Sequence, residues 1–150
     1  MSQPKPKPMA AAGGLADYDL AEQVGFLLRR ATQRHLAIFS DHIPDMTPPQ
    51  FAALAMLNAL GAQSQNQLGR ETAMDAATIK GVIDRLRKRG LVTTEPDPGD
   101  QRRIVVQLSE DGQRAFMGYV AAAKAITEET LAPLDARERG MLLGLLEKLT

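Results

Sequence analysis

Residues 76–108 constrain the fold most. In "AATIKGVIDRLRKRG" the apolar residues Ile79, Val82, Ile83 and Leu86 lie three, one and three positions apart, which marks one face of a helix. Gly90 is a natural stop for that helix. Two runs rich in β-branched residues follow, 91–95 and 103–108, with "PDPGDQ" between them as a hairpin loop. Asp75 stands where an N-cap is needed. An amphipathic helix that feeds directly into a hairpin is the second half of a winged helix-turn-helix.

The preceding residues supply the first half. Thr47, Pro48 and Gln50 have capping-box spacing, with proline at the first helical position. That helix runs to about Leu60 on the apolar stripe Phe51, Leu54, Ala55 and Leu57, and Gly61 ends it. "SQNQLGRETAM", residues 64–74, predicts a short helix anchored by Leu68. Outside this unit, 19–41 lacks proline and repeats Leu20, Val24, Leu27, Leu28, Ala31, Ile38 and Phe39 at helical spacing. Ser109 predicts the cap of a long helix from about 110 to 131, and Asp135 the cap of a last one. The expected class is mainly α with a small β-hairpin: a winged helix-turn-helix core flanked by N- and C-terminal dimerisation helices. The expected layout is a disordered tail over 1–17 and one domain over 18–150. Its DNA-binding part spans about 48–108, and its dimerisation helices about 19–41 and 110–149.

Composition agrees. Of 150 residues 44% are hydrophobic but only 4% aromatic, with no Trp, so the core must be aliphatic, which favours helices. Absence of Cys removes disulfides and thiolate metal sites. Two isolated histidines make a structural zinc site an unlikely design, and no cofactor is expected. No apolar run reaches the ~20 residues of a membrane span, so no membrane partner is expected and the expected location is the cytoplasm. Prolines alternate from Pro4 to Pro8 in the tail, around Lys5 and Lys7, which reads as a solvated extended arm with the option of touching DNA phosphates.

Net charge is zero, so any nucleic-acid contact must come from local clustering. Such clustering exists: from Lys80 to Arg103 there are seven basic residues against four acids. With its four apolar residues turned inward, the helix after Asp75 presents Ala76, Ala77, Lys80, Gly81, Asp84 and Arg87 outward, with Thr78 and Arg85 on the flank. Small residues at its start allow close approach to a major-groove floor, where Lys80 can donate to guanine and an alanine can meet a thymine methyl. Arg85, Arg87, Lys88 and Arg89 suit phosphates. Arg102 and Arg103 at a loop tip support no core. A wing arginine suits the narrow, electronegative minor groove, with Asp100 able to hold the Arg102 guanidinium.

The stretches "MTPPQFAALAML", "IDRLRKRGLV" and above all "PDPGDQRRIVVQLSEDG" resemble the MarR family of bacterial transcriptional regulators over about residues 19–149. The resemblance implies a homodimer that reads the two half-sites of a palindromic operator in double-stranded DNA. It implies that Arg102 enters the minor groove with Asp100 as its partner, that Thr78, Lys80 and Gly81 occupy base-reading positions, and that Arg85 contacts phosphate. Ala77, Lys80 and Gly81 depart from the Ser or Thr and Arg of many members, which bears on base preference. The resemblance also implies release from DNA by a small aromatic acid held between the dimerisation helices and the winged domain. Arg29, Arg30, Arg34 and His35 on the first helix could bind its carboxylate, and Phe51 and Met56 could cover its ring. Independently, Met141, Leu142, Leu143, Leu145, Leu146 and Leu149 make the last helix too broadly apolar for a lone terminal helix.

Two other readings compete. A winged-helix module used only for protein contacts has no need of Lys80, Arg85 and Arg102. A regulator of the same fold could answer a larger effector, such as an aromatic acyl-coenzyme A. No nucleophile–base pair, carboxylate constellation, phosphate loop or metal motif points to an enzyme.

Overall fold

A computed structural model describes residues 17–150. The tail expectation, including Lys5 and Lys7, falls almost wholly outside them. A short 3-10 turn, Leu20–Glu22, leads into α1 (Val24–His42). Then come α2 (Pro48–Leu60), β1 (Gln63–Ser64), α3 (Gln65–Glu71), α4 (Ala76–Lys88), β2 (Val92–Asp97), β3 (Asp100–Leu108), α5 (Glu110–Leu131) and α6 (Ala136–Lys148). This is a winged helix-turn-helix, α2 through β3, with α1, α5 and α6 around it.

The helix starts follow their caps. The Thr47 hydroxyl accepts from the Gln50 amide while the Gln50 side chain accepts from the Thr47 amide, a complete capping box. Ser64, Asp75, Ser109 and Asp135 each accept from the amide three residues on, satisfying donors that a helix start leaves free. The core is aliphatic: Leu54, Leu68, Ile79, Ile83, Leu86 and Val106 are among its fully buried members. Each contributes roughly 1.5–3 kcal/mol by leaving water.

Three local expectations are corrected. The third helix is shorter than 64–74 and ends at Glu71. There the Thr72 hydroxyl bonds the Leu68 carbonyl at 2.6 Å and Ala73 takes a left-handed φ of 54°. The hairpin loop is not six residues: the strands extend through Pro96, Asp97, Asp100 and Gln101, leaving Pro98–Gly99 at the tip. Finally, the sheet has three strands in the order β1-β3-β2, all antiparallel. Two polar residues make β1 because Gln63 and Ser64 pair with Val106 and Val105, and no apolar pattern announces so short a strand.

Two glycines set the close approaches. A methyl group at Gly69 would lie 3.2 Å from both the Ile79 side chain and the Met74 carbonyl, so Gly69 lets α3 and α4 meet at the helix-turn-helix corner. A methyl at Gly112 would stand 1.9 Å from the Leu91 carbonyl oxygen. Gly112 therefore seats the first turn of α5 on the entry to the wing.

Candidate functional site

On α4 the inward set is as the periodicity predicts: Ile79, Val82, Ile83 and Leu86 are all buried. Ala76, Ala77, Thr78, Lys80, Arg85 and Arg87 are exposed, and Gly81 and Asp84 half-buried. Two side chains brace the helix on opposite flanks. Arg87 donates to the Thr94 hydroxyl of β2 at 3.2 Å. Arg89 donates to the Asp45 carbonyl in the α1–α2 loop at 2.8 Å. On the exposed face Lys80 pairs with Asp84 at 2.9 Å. The bond from Lys80 holds the Asp84 carboxyl below its ordinary range. Lys80 is therefore aimed along the helix, toward Asp84 one turn on. The Thr78 amide likewise depresses the Asp75 carboxyl that caps the helix.

At the wing, Arg102 and Arg103 are exposed on β3 beside the tip. Asp100 plays a different part from the one expected. Its carboxylate accepts from the Arg102 backbone amide at 3.0 Å, not from the guanidinium. It shapes the tip and leaves the Arg102 side chain free of ion pairs among the described residues. Arg102 and Arg103 face Ser64, Gln65 and Asn66 at the start of α3 across a small hollow. α4 thus exposes Lys80, Arg85 and Arg87 with the small residues Ala76 and Ala77 at its start, and the wing exposes Arg102 and Arg103.

The residues expected to hold an effector are only partly brought together. Arg34 donates to the Thr130 and Glu129 carbonyls at 2.7 and 2.9 Å, and His35 Nδ1 shares a hydrogen bond with the Thr130 hydroxyl at 2.9 Å. Both residues join α1 to the last turn of α5, where carbonyls lack the usual amide four residues on. His42 and Glu129 add a 2.6 Å bond to the same joint. Arg29 is exposed on α1. Met56 is half-buried against the core and lines none of the larger clefts. Phe51 stacks on Phe116 of α5, with ring centroids 5.8 Å apart. Those two rings wall a cleft of about 630 Å³ between α2 and α5, which also carries Lys124, Thr127 and Glu128. Sequence reading missed Phe116 and Lys124, because nothing local links α5 to α2.

Tyr119 was missed too. Its phenol donates to the Asp45 carboxylate, and the Arg89 guanidinium lies 3.6 Å from the same group. Burial first, and then the Asp45 bond, push the phenol above its ordinary pKa. One carboxylate in the α1–α2 loop thus ties α5 to the end of α4.

The shell has a second character. No residue of α6 is buried, and Val24, Leu27, Leu28, Met141, Leu143, Leu145 and Leu149 are all exposed. No helix of the described residues is long and apolar enough to cross a membrane.

Known proteins share this arrangement. The MarR family profile matches residues 45–103, the winged unit up to the wing arginines. The HTH-type transcriptional repressor NicR of Pseudomonas putida is 42% identical over 97% of this chain and 93% of its own length. Bordetella bronchiseptica BpsR, whose DNA binding is regulated by 6-hydroxynicotinic acid, is 42% identical, with a TM-score of 0.86 over 89% of this chain and 97% of that one. Streptomyces coelicolor PcaV, solved with its natural ligand, is 32% identical, with a TM-score of 0.86 over 90% of this chain and 96% of that one. On the winged core, the matched profile and this near full-length similarity, the chain belongs to the MarR family of transcriptional regulators.

Proposed function

We propose that this protein is a dimeric, sequence-specific repressor, acting in the cytoplasm on double-stranded DNA, that leaves a palindromic operator when it binds a small aromatic acid. The observation that carries this reading is the set of exposed cations on α4 and the wing, on a chain whose outer helices leave leucines uncovered. Two copies joined through α1 and α6 would present two recognition helices, spaced about 34–36 Å apart to match one turn of DNA. Ala76, Ala77, Thr78, Lys80 and Gly81 read the major groove. Arg85, Arg87 and Arg103 hold phosphates, and Arg102 enters the minor groove from a tip shaped by Asp100.

The Phe51–Phe116 cleft receives the effector. Its stacked rings suit a planar ring, and Lys124 supplies a cation for the carboxylate. Thr127 of the cleft lies one helical turn before Thr130, which His35 touches, and this supports keeping His35 and Arg34 as neighbouring candidates although they do not line it. Arg29 on α1 and Met56 on α2 are the farther candidates. A ligand here wedges the joint between α1, α5 and the winged core, and so changes the spacing of the recognition helices. It must bind the DNA-incompetent spacing better, or it shifts nothing. Pyridine and benzene carboxylates are the favoured class, given the acid that acts on BpsR.

The test is an operator-binding titration with 6-hydroxynicotinate, benzoates, hydroxybenzoates and cinnamates, run beside thermal shift. The expected ligand raises the melting temperature and lowers operator affinity by about 5–150-fold, and Lys124→Gln abolishes both effects. If no compound does both at millimolar concentration, this is not an aromatic-acid sensor. Equal affinity for operator and random duplexes would remove the DNA-reading role as well.

A further inference from the structure

α4 carries one acid, Asp84, among Lys80, Arg85, Arg87 and Lys88. Helix stability does not account for it. The favourable order of an i, i+4 pair puts the acid before the base, and Lys80 and Asp84 stand in the reverse order. Aspartate is also a poor residue for a helix interior. Both side chains are exposed, at 68% and 44%, so their pairing gains little in water. On a surface that meets a polyanion, a carboxylate works against each neighbouring cation. Yet this one is held in place. Lys80 Nζ donates to Asp84 Oδ2 at 2.9 Å. That bond keeps the carboxyl below its ordinary range, so it is ionised and accepts only.

We propose that Asp84 is a specificity-determining residue, which together with Lys80 reads one G·C pair in each half-site. The inference rests on the DNA-binding reading of α4 and adds to it a residue and a base identity. The two charged tips meet at 2.9 Å although they start one helical turn apart. In a G·C pair, guanine O6 and cytosine N4 are hydrogen-bonded to each other, about 2.9 Å apart. Each keeps one unused site in the major groove: O6 a lone pair, N4 its second N–H. The side-chain pair therefore matches the base pair as it stands, with Lys80 donating to O6 and Asp84 accepting from N4. An A·T pair also sets a donor beside an acceptor. There, however, the thymine methyl crowds the ammonium next to O4, whereas guanine adds N7 as a second acceptor. Phosphates offer Asp84 no donor at all. On random DNA the carboxylate repels the backbone and keeps Lys80 from it. The residue that reads cytosine thus also weakens non-specific binding.

Selection of bound duplexes from a randomised pool by the full chain tests this, followed by titration of the selected operator with single base-pair changes. The parent protein should enrich a G·C pair at one symmetric position of each half-site. Changing that pair to A·T should lower affinity about 5–150-fold. Asp84→Asn should lose most of this discrimination. On random duplexes it should bind more tightly, with a salt dependence steeper by about one phosphate contact per subunit, because Lys80 is released. Lys80→Met should lose the same base preference without that gain. Glu95→Gln removes an exposed acid from β2 of the wing instead. It should leave the base preference intact, which separates reading from net charge. Thermal melting followed by circular dichroism should place all three variants near the parent. The proposal is overturned if Asp84→Asn selects the same operator with the same discrimination, or if no half-site position prefers G·C. It is equally overturned if Glu95→Gln erases the preference, or if Asp84→Asn melts far below the parent, which would make the pair structural. A protein that enriches no sequence would sink the repressor reading itself. An enriched operator indifferent to residue 84 would sink only the role of Asp84.

Discussion

The winged core and the helical shell are built from the same aliphatic alphabet, yet they use it in opposite ways. Leu54, Leu68 and Leu86 in the core are 0% exposed, whereas Val24 is 66% and Leu149 71% exposed in the shell. The core hides these three leucines within one chain and shows its cations. No residue of α6 is fully buried, although it carries Leu142, Leu143, Leu145 and Leu146. Burying a Leu fully is worth roughly 1.5–3 kcal/mol, so a half-exposed shell left in water forgoes several kcal/mol, an amount comparable with the stability of a typical domain. The core can be read from one chain, whereas the shell leaves Val24, Leu143, Leu145 and Leu149 exposed on one; on the proposed reading a second copy covers them and the shell sets the spacing between two cores.

The joint between the two halves should be the most fragile point. Gly112→Ala sets a methyl group 1.9 Å from the Leu91 carbonyl oxygen, and backbone on both sides prevents a cheap retreat. The Ser109 amide also donates to that carbonyl, so the wing entry and the start of α5 would come apart together. The expected loss is about 4 kcal/mol or more, in the range reserved for steric failure in a packed site, read as urea unfolding or as absence of soluble protein. Gly118→Ala, on the same helix with open space around it, should be neutral or slightly stabilising. Equal behaviour of the two variants would refute the close approach.

Breaking the shell alone should spare the core. Leu143→Glu with Leu145→Glu places two charges on exposed leucines of α6. Sedimentation should give a monomer, while the helical circular dichroism of the core persists. Operator affinity should drop by roughly 10²–10⁴-fold, the gain that a second tethered half-site confers. A dimer that survives both charges would place the interface elsewhere.

Much of the core was legible because its signals are local. Thr47, Pro48 and Gln50 announce α2, Asp75 and Ser109 announce α4 and α5, and the 79, 82, 83, 86 spacing gives the buried face of α4. What escaped was set by partners distant in sequence. β1 exists through its pairing with Val105 and Val106, some 40 residues on. Arg34 meets carbonyls 95 and 96 residues away, and Tyr119 meets Asp45 across 74. The cation-rich first helix suggested a carboxylate site, but helix periodicity cannot say which arginines are taken by α5. The role given to Asp100 failed for a subtler reason. Asp-x-Arg spacing allows either a backbone or a guanidinium acceptor bond, and the two-residue tip selects the backbone one.

The wing gives a sharper contrast between function and stability. Arg102→Ala should weaken operator binding by about 1–3 kcal/mol, as for a specific groove contact, and leave the melting temperature unchanged, because the side chain is exposed and forms no ion pair among the described residues. Arg103→Ala should lose less and act equally on operator and random DNA, as a phosphate contact does. Asp100→Ala should fall between them in binding and loosen the tip. If Arg102→Ala binds like the parent, the wing does not enter the groove.

The smallest effect lies at the helix-turn-helix corner. Ala73 is the one non-glycine residue with positive φ among the described residues, at 54°. Its methyl group crowds the neighbouring carbonyl there, at a cost of about 1–2 kcal/mol. Ala73→Gly removes that strain but loosens the unfolded chain, which costs back about 0.4–1 kcal/mol. The difference favours glycine by roughly 0.5 kcal/mol, which for a chain of this size is a rise in melting temperature of about 2 °C. Gly69 next to the corner is buried and tight, so the turn geometry is fixed by packing and should not change with residue 73. Operator affinity should therefore stay at the parental level. A fall in affinity with the small thermal gain would mean that Ala73 holds the angle between α3 and α4, and that strain at the corner serves recognition. A thermal loss instead would mean that the Ala73 methyl group makes a packing contact worth more than its backbone strain.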